Sequence, residues 1–401
     1  MAEHKSQHFV PRFYLENFSF DGGTRFHLLH LASQEVRRNV GIRDQCAANY
    51  FYGKDLKIEK TFMELEGAVS AAVRRIIADG RMPTAGADGD LVFRTHVALQ
   101  WGRTRAHIAE QREMTARAVK TAFGENKGGK TRFEAEIEAT TLEDSMRMSV
   151  ELSADSAAFI GDLESKLIDA NGHGEFVTSD TPVVMTNPYY LGRYPGGVTG
   201  LNVQGLVMWV PISPRYLAVY YDRSYYRVGS PHQRTIPLGS AADVAALNNF
   251  QCLNAAATVY FQNERFGPIL AAAYQPVARL RLAERHGLRR AFATGPDGPK
   301  EIIHGYRREV NYRPQLGCFS ILRKRRGAQE EIGKIPPRDP RLQEMFYEYH
   351  QEVRAGLRER SFLRYLTEQA GATPARTGPP APSGGRTAIR VLESLVGNRS
   401  R

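Results

Sequence analysis

The chain has 401 residues, 42% of them hydrophobic and 24% charged, and a formal net charge of +11. That length allows one large or two ordinary globular domains with a sizeable core. Three scattered cysteines (Cys46, Cys252, Cys318) exclude a disulfide framework and a Cys-rich zinc site. The absence of an apolar leader and of any 18-residue apolar run predicts a cytoplasmic protein with no membrane span.

In chain order, the opening Gln7-His8-Phe9-Val10-Pro11-Arg12-Phe13-Tyr14-Leu15-Glu16-Asn17-Phe18 is too apolar for a free terminus and must dock. Pro11 fixes its own φ and extends Val10, so an extended entry, a turn and one or two helical turns are expected. His8 then lies at the junction, either as a carbonyl-bonded buried histidine or as a group facing a cleft. Thr24 to Leu31 and Gln34 to Val40 read as a hairpin after the Asp21-Gly22-Gly23 turn. Cys46 to Gly53 reads as an aromatic loop or short helix.

A helix is expected from about Asp55 to Asp79, with an apolar stripe of Phe62, Leu65, Val69, Ala72, Val73 and Ile76. Glu66 falls within that stripe, with Glu59 one heptad earlier on nearly the same face. A buried carboxylate needs a partner or a function. The next helix is expected to run unbroken from about Asp90 to Phe123. It carries His96, Gln100, Arg103 and His107 in one polar stripe beside Phe93, Val97, Trp101 and Ile108. His, Gln and Arg are donors to phosphates and carboxylates, unlike the Lys and Glu of a solvated face.

Gly124 to Lys130 is a basic Gly-rich loop without the spacing of a phosphate-binding Walker loop. A long helix is expected from about Phe133 to Ala170. It places Asp162-Leu-Glu164-Ser-Lys166 on a helix, although the acidic-x-Lys core of restriction-type nucleases needs a strand. Strands follow from Glu175, and Asp180 sits at a turn between two of them, as a turn device or as a carboxylate presented to a cleft. Leu206 to Ile212 and Tyr216 to Tyr221 form a hairpin around Ser213-Pro214-Arg215. A helix is expected over about Ala241 to Phe261.

Beyond Pro268 the expected elements are a basic helix over Leu280 to Phe292, a turn at Pro296 to Pro299 and an edge strand at Gly317 to Leu322. An amphipathic helix at Leu342 to Gln369, a Pro/Gly linker from Gly371 and a short basic helix at Ile389 to Val396 complete the chain. Residues 285–326 hold eleven Lys and Arg, Arg323 and Arg325 among them, against three acids. The tail from Gly371 adds five Arg against Glu393. Charge concentrated in this way is either a solubilising surface or a footprint for a polyanion, here nucleic acid.

Four segments resemble an uncharacterised bacterial family, the domain of unknown function 4238. They are the Gln7-His8-Phe9-Val10-Pro11 opening, Tyr50-Phe51-Tyr52 with Ile58-Glu59-Lys60 and Glu66, the Gln100 to Arg103-Thr104 helix, and Ser179-Asp180-Thr181-Pro182. The resemblance covers about residues 5 to 265. It implies a prokaryotic origin and a shared site, and a toxin or defence effector would suit it.

The expected fold is α+β: a helical layer (about 40–170) packed on a mostly antiparallel sheet (about 175–225), the helix near 241–261 behind it, then a basic C-terminal extension. The expected divisions are 1–267, 268–370 and 371–401. The expected function is a hydrolase acting on nucleic acid by metal-assisted phosphodiester cleavage. His8, Glu66 and Asp180 would be catalytic, with Glu66 and Asp180 holding a divalent metal such as Mg²⁺ or Mn²⁺. Gln100, Arg103, Arg323 and Arg325 would bind substrate. Two alternatives stay open: a non-catalytic nucleic-acid-binding protein acting through 285–326, and a sensor of an anion or small ligand.

Overall fold

The computed structural model describes residues 5–123, 142–295, 298–322 and 335–357, together with 362, 365, 366, 368 and 369. The expected linker from Gly371, the basic helix after it, the Gly124–Lys130 loop and the Arg323–Arg326 run lie outside the described residues.

The opening segment docks as its apolar content demands. β1 (Ser6–His8) is extended, and α1 (Arg12–Glu16) begins after Pro11. Tyr14, Leu15 and Phe18 are buried. β2 (Arg25–His30) and β3 (Glu35–Gly41) form the expected antiparallel hairpin. The aromatic loop that follows contains a strand, β4 (Ala47–Asn49), which pairs antiparallel with β1 so that His8 lies opposite Ala47.

α2 (Lys57–Asp79) buries every residue of the predicted stripe and ends at Gly80, whose φ of 60° is the left-handed cap that glycine accepts freely. The next helix is not continuous. α3 (Asp88–Gly102) stops and α4 (Arg105–Phe123) restarts. The cause is local. Arg103 leaves helical geometry (φ −90°, ψ 1°), and the Thr104 hydroxyl accepts from the His107 N–H at 3.3 Å, as an N-cap does. Gly102 permits close approach of the next helix, because a Cβ there would overlap the Ser153 side chain.

α5 (Leu142–Asp155) and a 3₁₀ turn (Ser156–Ile160) end the helical region, and β5 (Glu164–Asp169) is a strand, not the end of a long helix. β5 is covered on both faces, so Leu167 and Ile168 are both fully buried and the alternation that marks a strand is missing. β6 (Thr178–Ser179), β7 (Val184–Thr186), β8 (Val207–Pro211), β9 (Tyr216–Tyr221), β10 (Tyr226–Val228) and β11 (Thr235–Pro237) follow. α6 (Ala241–Asn254) stops earlier than expected, and the β-branched and aromatic Thr258–Phe261 form β12. α7 (Phe266–Tyr274) comes next.

The basic helix expected at Leu280–Phe292 is instead half of a hairpin, β13 (His286–Gly295) with β14 (Gly298–Arg307). Ten residue pairs with β14 outweigh the helix preference of its Leu, Arg and Ala. β15 (Phe319–Ile321) is the expected edge strand and pairs with β10. α8 (Pro340–Arg354) is shorter than its apolar pattern, and Gly356 with φ 71° follows it.

The fold is α+β and mostly antiparallel. One sheet has the order β11-β5-β9-β8-β7, with only β11–β5 parallel, and a second has the order β3-β2-β12-β6. Along β8 and β9, alternate side chains enter different cores. Met208, Val210, Ala218 and Tyr220 join the helical residues Phe93, Val97 and Leu65. Trp209, Leu217 and Val219 join Leu247 and Phe250 of α6. Trp209 stacks on Phe250 with centroids 5.6 Å apart. The helix α3 that ends at the junction, where Gln100 and Arg103 lie, packs through Phe93 and Val97 into the first of these cores. Among the described residues no helix is long and apolar enough to cross a membrane.

Candidate functional site

Glu66, Gln100 and Arg103 meet where α2 passes the α3–α4 junction, and Gln100 ties them to Phe9 just after β1. Arg103 is the centre and is 1% exposed. It leaves the end of α3 and donates to Glu66 of α2 at 3.1 Å and to the Gln100 side-chain oxygen at 2.9 Å. Its guanidinium lies 4.5 Å over the Phe62 ring. Gln100 in turn donates to the Phe9 carbonyl at 2.9 Å. Gln7 is fully buried; its side chain donates to the Gly53 carbonyl and accepts from the Tyr52 N–H. The Tyr52 hydroxyl donates to the His8 carbonyl at 3.2 Å. The Gln7 and Tyr52 bonds tie the opening strand to the loop before α2, and the Gln100 bond ties the residue after it to α3. The heptad spacing of Glu59 and Glu66 and the i, i+3 spacing of Gln100 and Arg103 are what aim these groups at one place.

Two groups in this cluster have unused capacity. The Nε2 of His8 is buried and has no hydrogen-bond partner among the described residues. Burial lowers the His8 pKa, and Arg12 and Arg103 push it the same way against the Arg43 backbone and Asp44. The imidazole is therefore neutral near pH 7. Glu59 is pushed up to about 7 by burial first and by the neighbouring Glu66 second, with Arg103 opposing. Glu66 is also raised by burial, although its ion pair with Arg103 works against the shift. The neutral His and the part-protonated Glu59 are a base and an acid at the same pH.

His96 is also on the polar stripe, but it faces the core. It packs against Phe13, Tyr14 and Phe93, and burial takes its pKa down to about 3.

Asp180 belongs to a different network. Its carboxylate accepts from the N–H groups of Ala256, Ala257 and Thr258 at 2.8, 2.8 and 3.1 Å. It locks the turn before β12 onto the strand end after β6. Burial raises its pKa and these N–H groups oppose the shift. The two carboxylates expected to hold a divalent metal are thus committed elsewhere, Glu66 to Arg103 and Asp180 to backbone. Among the described residues no group of three or more His, Cys, Asp or Glu is arranged to hold a metal ion. These residues do not fit one.

The Glu164-Ser-Lys166 segment lies on a strand after all, but its lysine and the nearby Asp162 are engaged. The Lys166 ammonium donates to the Val228 and Ser230 carbonyls at 2.9 and 2.6 Å, and Asp162 pairs with Arg338 at 2.9 Å. Several arginines of the basic region are engaged as well. Arg285 donates to the Leu253, Asn254 and Ala255 carbonyls, capping α6. Arg308 pairs with Glu284 at 3.7 Å, and Arg313 donates to the Leu191 carbonyl. Arg323 and Arg325 lie outside the described residues.

The arrangement defines an α+β protein with a buried Glu66–Arg103–Gln100 network bonded to the chain just after its N-terminal strand. The family model described as protein of unknown function (DUF4238) matches residues 6–265, and the chain belongs to that family. No curated protein and no solved structure matches the chain.

Proposed function

We propose that this protein is a hydrolase that cleaves phosphodiester bonds of nucleic acid by acid–base chemistry at the His8–Glu59–Glu66–Arg103 cluster. The observations that carry the reading are the buried His8 Nε2, which has no hydrogen-bond partner among the described residues, and Glu59, whose carboxyl is pushed up to about 7, each within electrostatic reach of Arg103. Perturbed acid and base groups gathered in one place mark functional sites more often than structural ones. Arg12 and Arg43 are exposed next to His8 and supply positive charge for a phosphate.

In this mechanism His8 Nε2 takes the proton of the attacking water as its oxygen bonds to phosphorus. Glu59 gives its proton to the leaving oxygen as the phosphorus–oxygen bond breaks. Arg103 does not leave its carboxylate; it holds Glu66 and Gln100 and keeps the site in register. No step passes through a metal.

The test is incubation of plasmid DNA and total RNA with the full chain, with Mg²⁺ and with EDTA, beside His8→Ala and Glu59→Gln. Expected is cleavage that survives EDTA and falls about 100-fold or more in each variant, the usual worth of a general acid or base. Intact substrates in every arm contradict the reading. Nucleic acid that is retarded on a gel but not cut would instead favour a non-catalytic binding protein.

A further inference from the structure

A second cavity lies on the other side of the α3–α4 junction, between α4 and the β13–β14 hairpin. It has a volume of about 310 Å³ and opens to solvent, at the small end of the range of small-molecule sites. Trp101, Met114, Met185 and Tyr306 give it apolar walls. Glycines let the elements approach: a Cβ on Gly305 would meet the Met114 sulfur at 2.7 Å.

Four polar atoms of the lining residues are buried without a hydrogen-bond partner among the described residues: Trp101 Nε1, His107 Nε2 and both ring nitrogens of His286, whose Nε2 lies 3.6 Å from Glu113. The Trp101 and His107 rings lie 4.3 Å apart. The indole N–H can only donate. Burial and the nearby Arg307 take the His107 pKa down to about 3, so its ring is neutral and its free nitrogen can accept. A buried donor and a buried acceptor left unpaired are costly, and their pairing by a ligand recovers that cost. The ionic groups of the wall offset one another. Arg285 and Arg307 lie 3.6 and 3.9 Å from Glu110. Glu309 accepts from the Val198 N–H and the Thr199 hydroxyl. A balanced rim does not call for a charged ligand.

We infer that this cleft binds a neutral planar heterocycle of the nucleobase or nucleoside class, whose ring carbonyl accepts from Trp101 and whose adjacent ring N–H donates to His107. The aromatic and thioether walls suit the faces of such a ring. The adjacent carbonyl and N–H are the edge that the two nitrogens complement. The inference stands apart from the hydrolytic reading, since it requires binding and no turnover.

The test is calorimetric titration of the full chain with uridine and inosine, beside N3-methyluridine and N1-methylinosine, which lack the ring N–H. Expected is saturable one-to-one binding of at least one parent nucleoside, weakened about ten-fold by the methyl group, the worth of one buried hydrogen bond. Trp101→Phe keeps a ring and removes the indole N–H, and is expected to weaken the parent about as much. The emission of Trp209, buried and stacked on Phe250, reports whether that variant is folded. Absence of heat from both parents up to their solubility overturns the inference. So does equal binding of parent and methylated forms, a result that needs no variant.

Discussion

The Arg103 cluster and the Asp180 turn both bury carboxylates, and they do so in opposite ways. At Asp180 the partners are three backbone N–H groups of one turn, and both carboxylate oxygens are used. At Arg103 the partners are the side chains of Glu66 on α2 and Gln100 on α3, Gln100 reaches the Phe9 carbonyl, and His8 Nε2 nearby has no hydrogen-bond partner among the described residues. A carboxylate saturated by backbone fixes the chain path. A network of side chains with titratable groups to spare can also move protons.

The largest effect is expected at the centre of the side-chain network. Arg103→Met removes the charge paired with Glu66 and takes away the donor to the Gln100 oxygen. Breaking a buried pair in this way is expected to cost about 4 kcal/mol, read by urea denaturation. A loss below about 1 kcal/mol would mean that the cluster is not a buried network at all.

Asp180→Ala should come next, at about 3 kcal/mol, because it strands three N–H groups. It is expected to leave the titration of Glu59 unchanged, and a shift there would join the two networks and break the comparison. Gly102→Ala tests the junction that aims Arg103. Overpacking against Ser153 is expected to cost about 2 kcal/mol. Adding Ser153→Ala should recover part of it.

The last effect is a slope in pH. Glu59 has a raised folded pKa, about 7 against the ordinary 4.5. The stability linked to its protonated form is fully present below about 4.5 and is lost as pH rises through about 7. Glu59→Gln should therefore flatten the fall in melting temperature between pH 5 and pH 8. An unchanged slope would assign it to another group.

The sequence made part of this legible. The α2 stripe followed from helical spacing, because an amphipathic helix repeats its face over many residues. Whether His8, Glu66, Gln100 and Arg103 meet in space did not, because spacing sets a face and not what that face packs against. Gln7 carried no such signal: its role appears only when its side chain bonds Tyr52 and Gly53 across the β1–β4 pair. The strands β5 and β12 were read as helix ends, since burial on both sheet faces erases their alternation. The β13–β14 hairpin was hidden for another reason. Its residues favour a helix singly, and only the partner strand reverses that choice. With the hairpin misread, Arg307 and Tyr306 could not be placed against Trp101 and His107, and the second cleft was invisible. Asp180 was legible as a turn residue, and its commitment to three N–H groups was not, because they lie more than seventy residues away in the chain.

The central claim is that Glu59 and Glu66 share one buried electrostatic site with Arg103. The most direct measurement is a carboxyl ¹³C titration of Glu59 by NMR in the wild-type chain and in Glu66→Gln. The account predicts a midpoint of about 7 in the wild type, moved downward when the neighbouring charge is removed. A midpoint near 4.5 that ignores the substitution would contradict it.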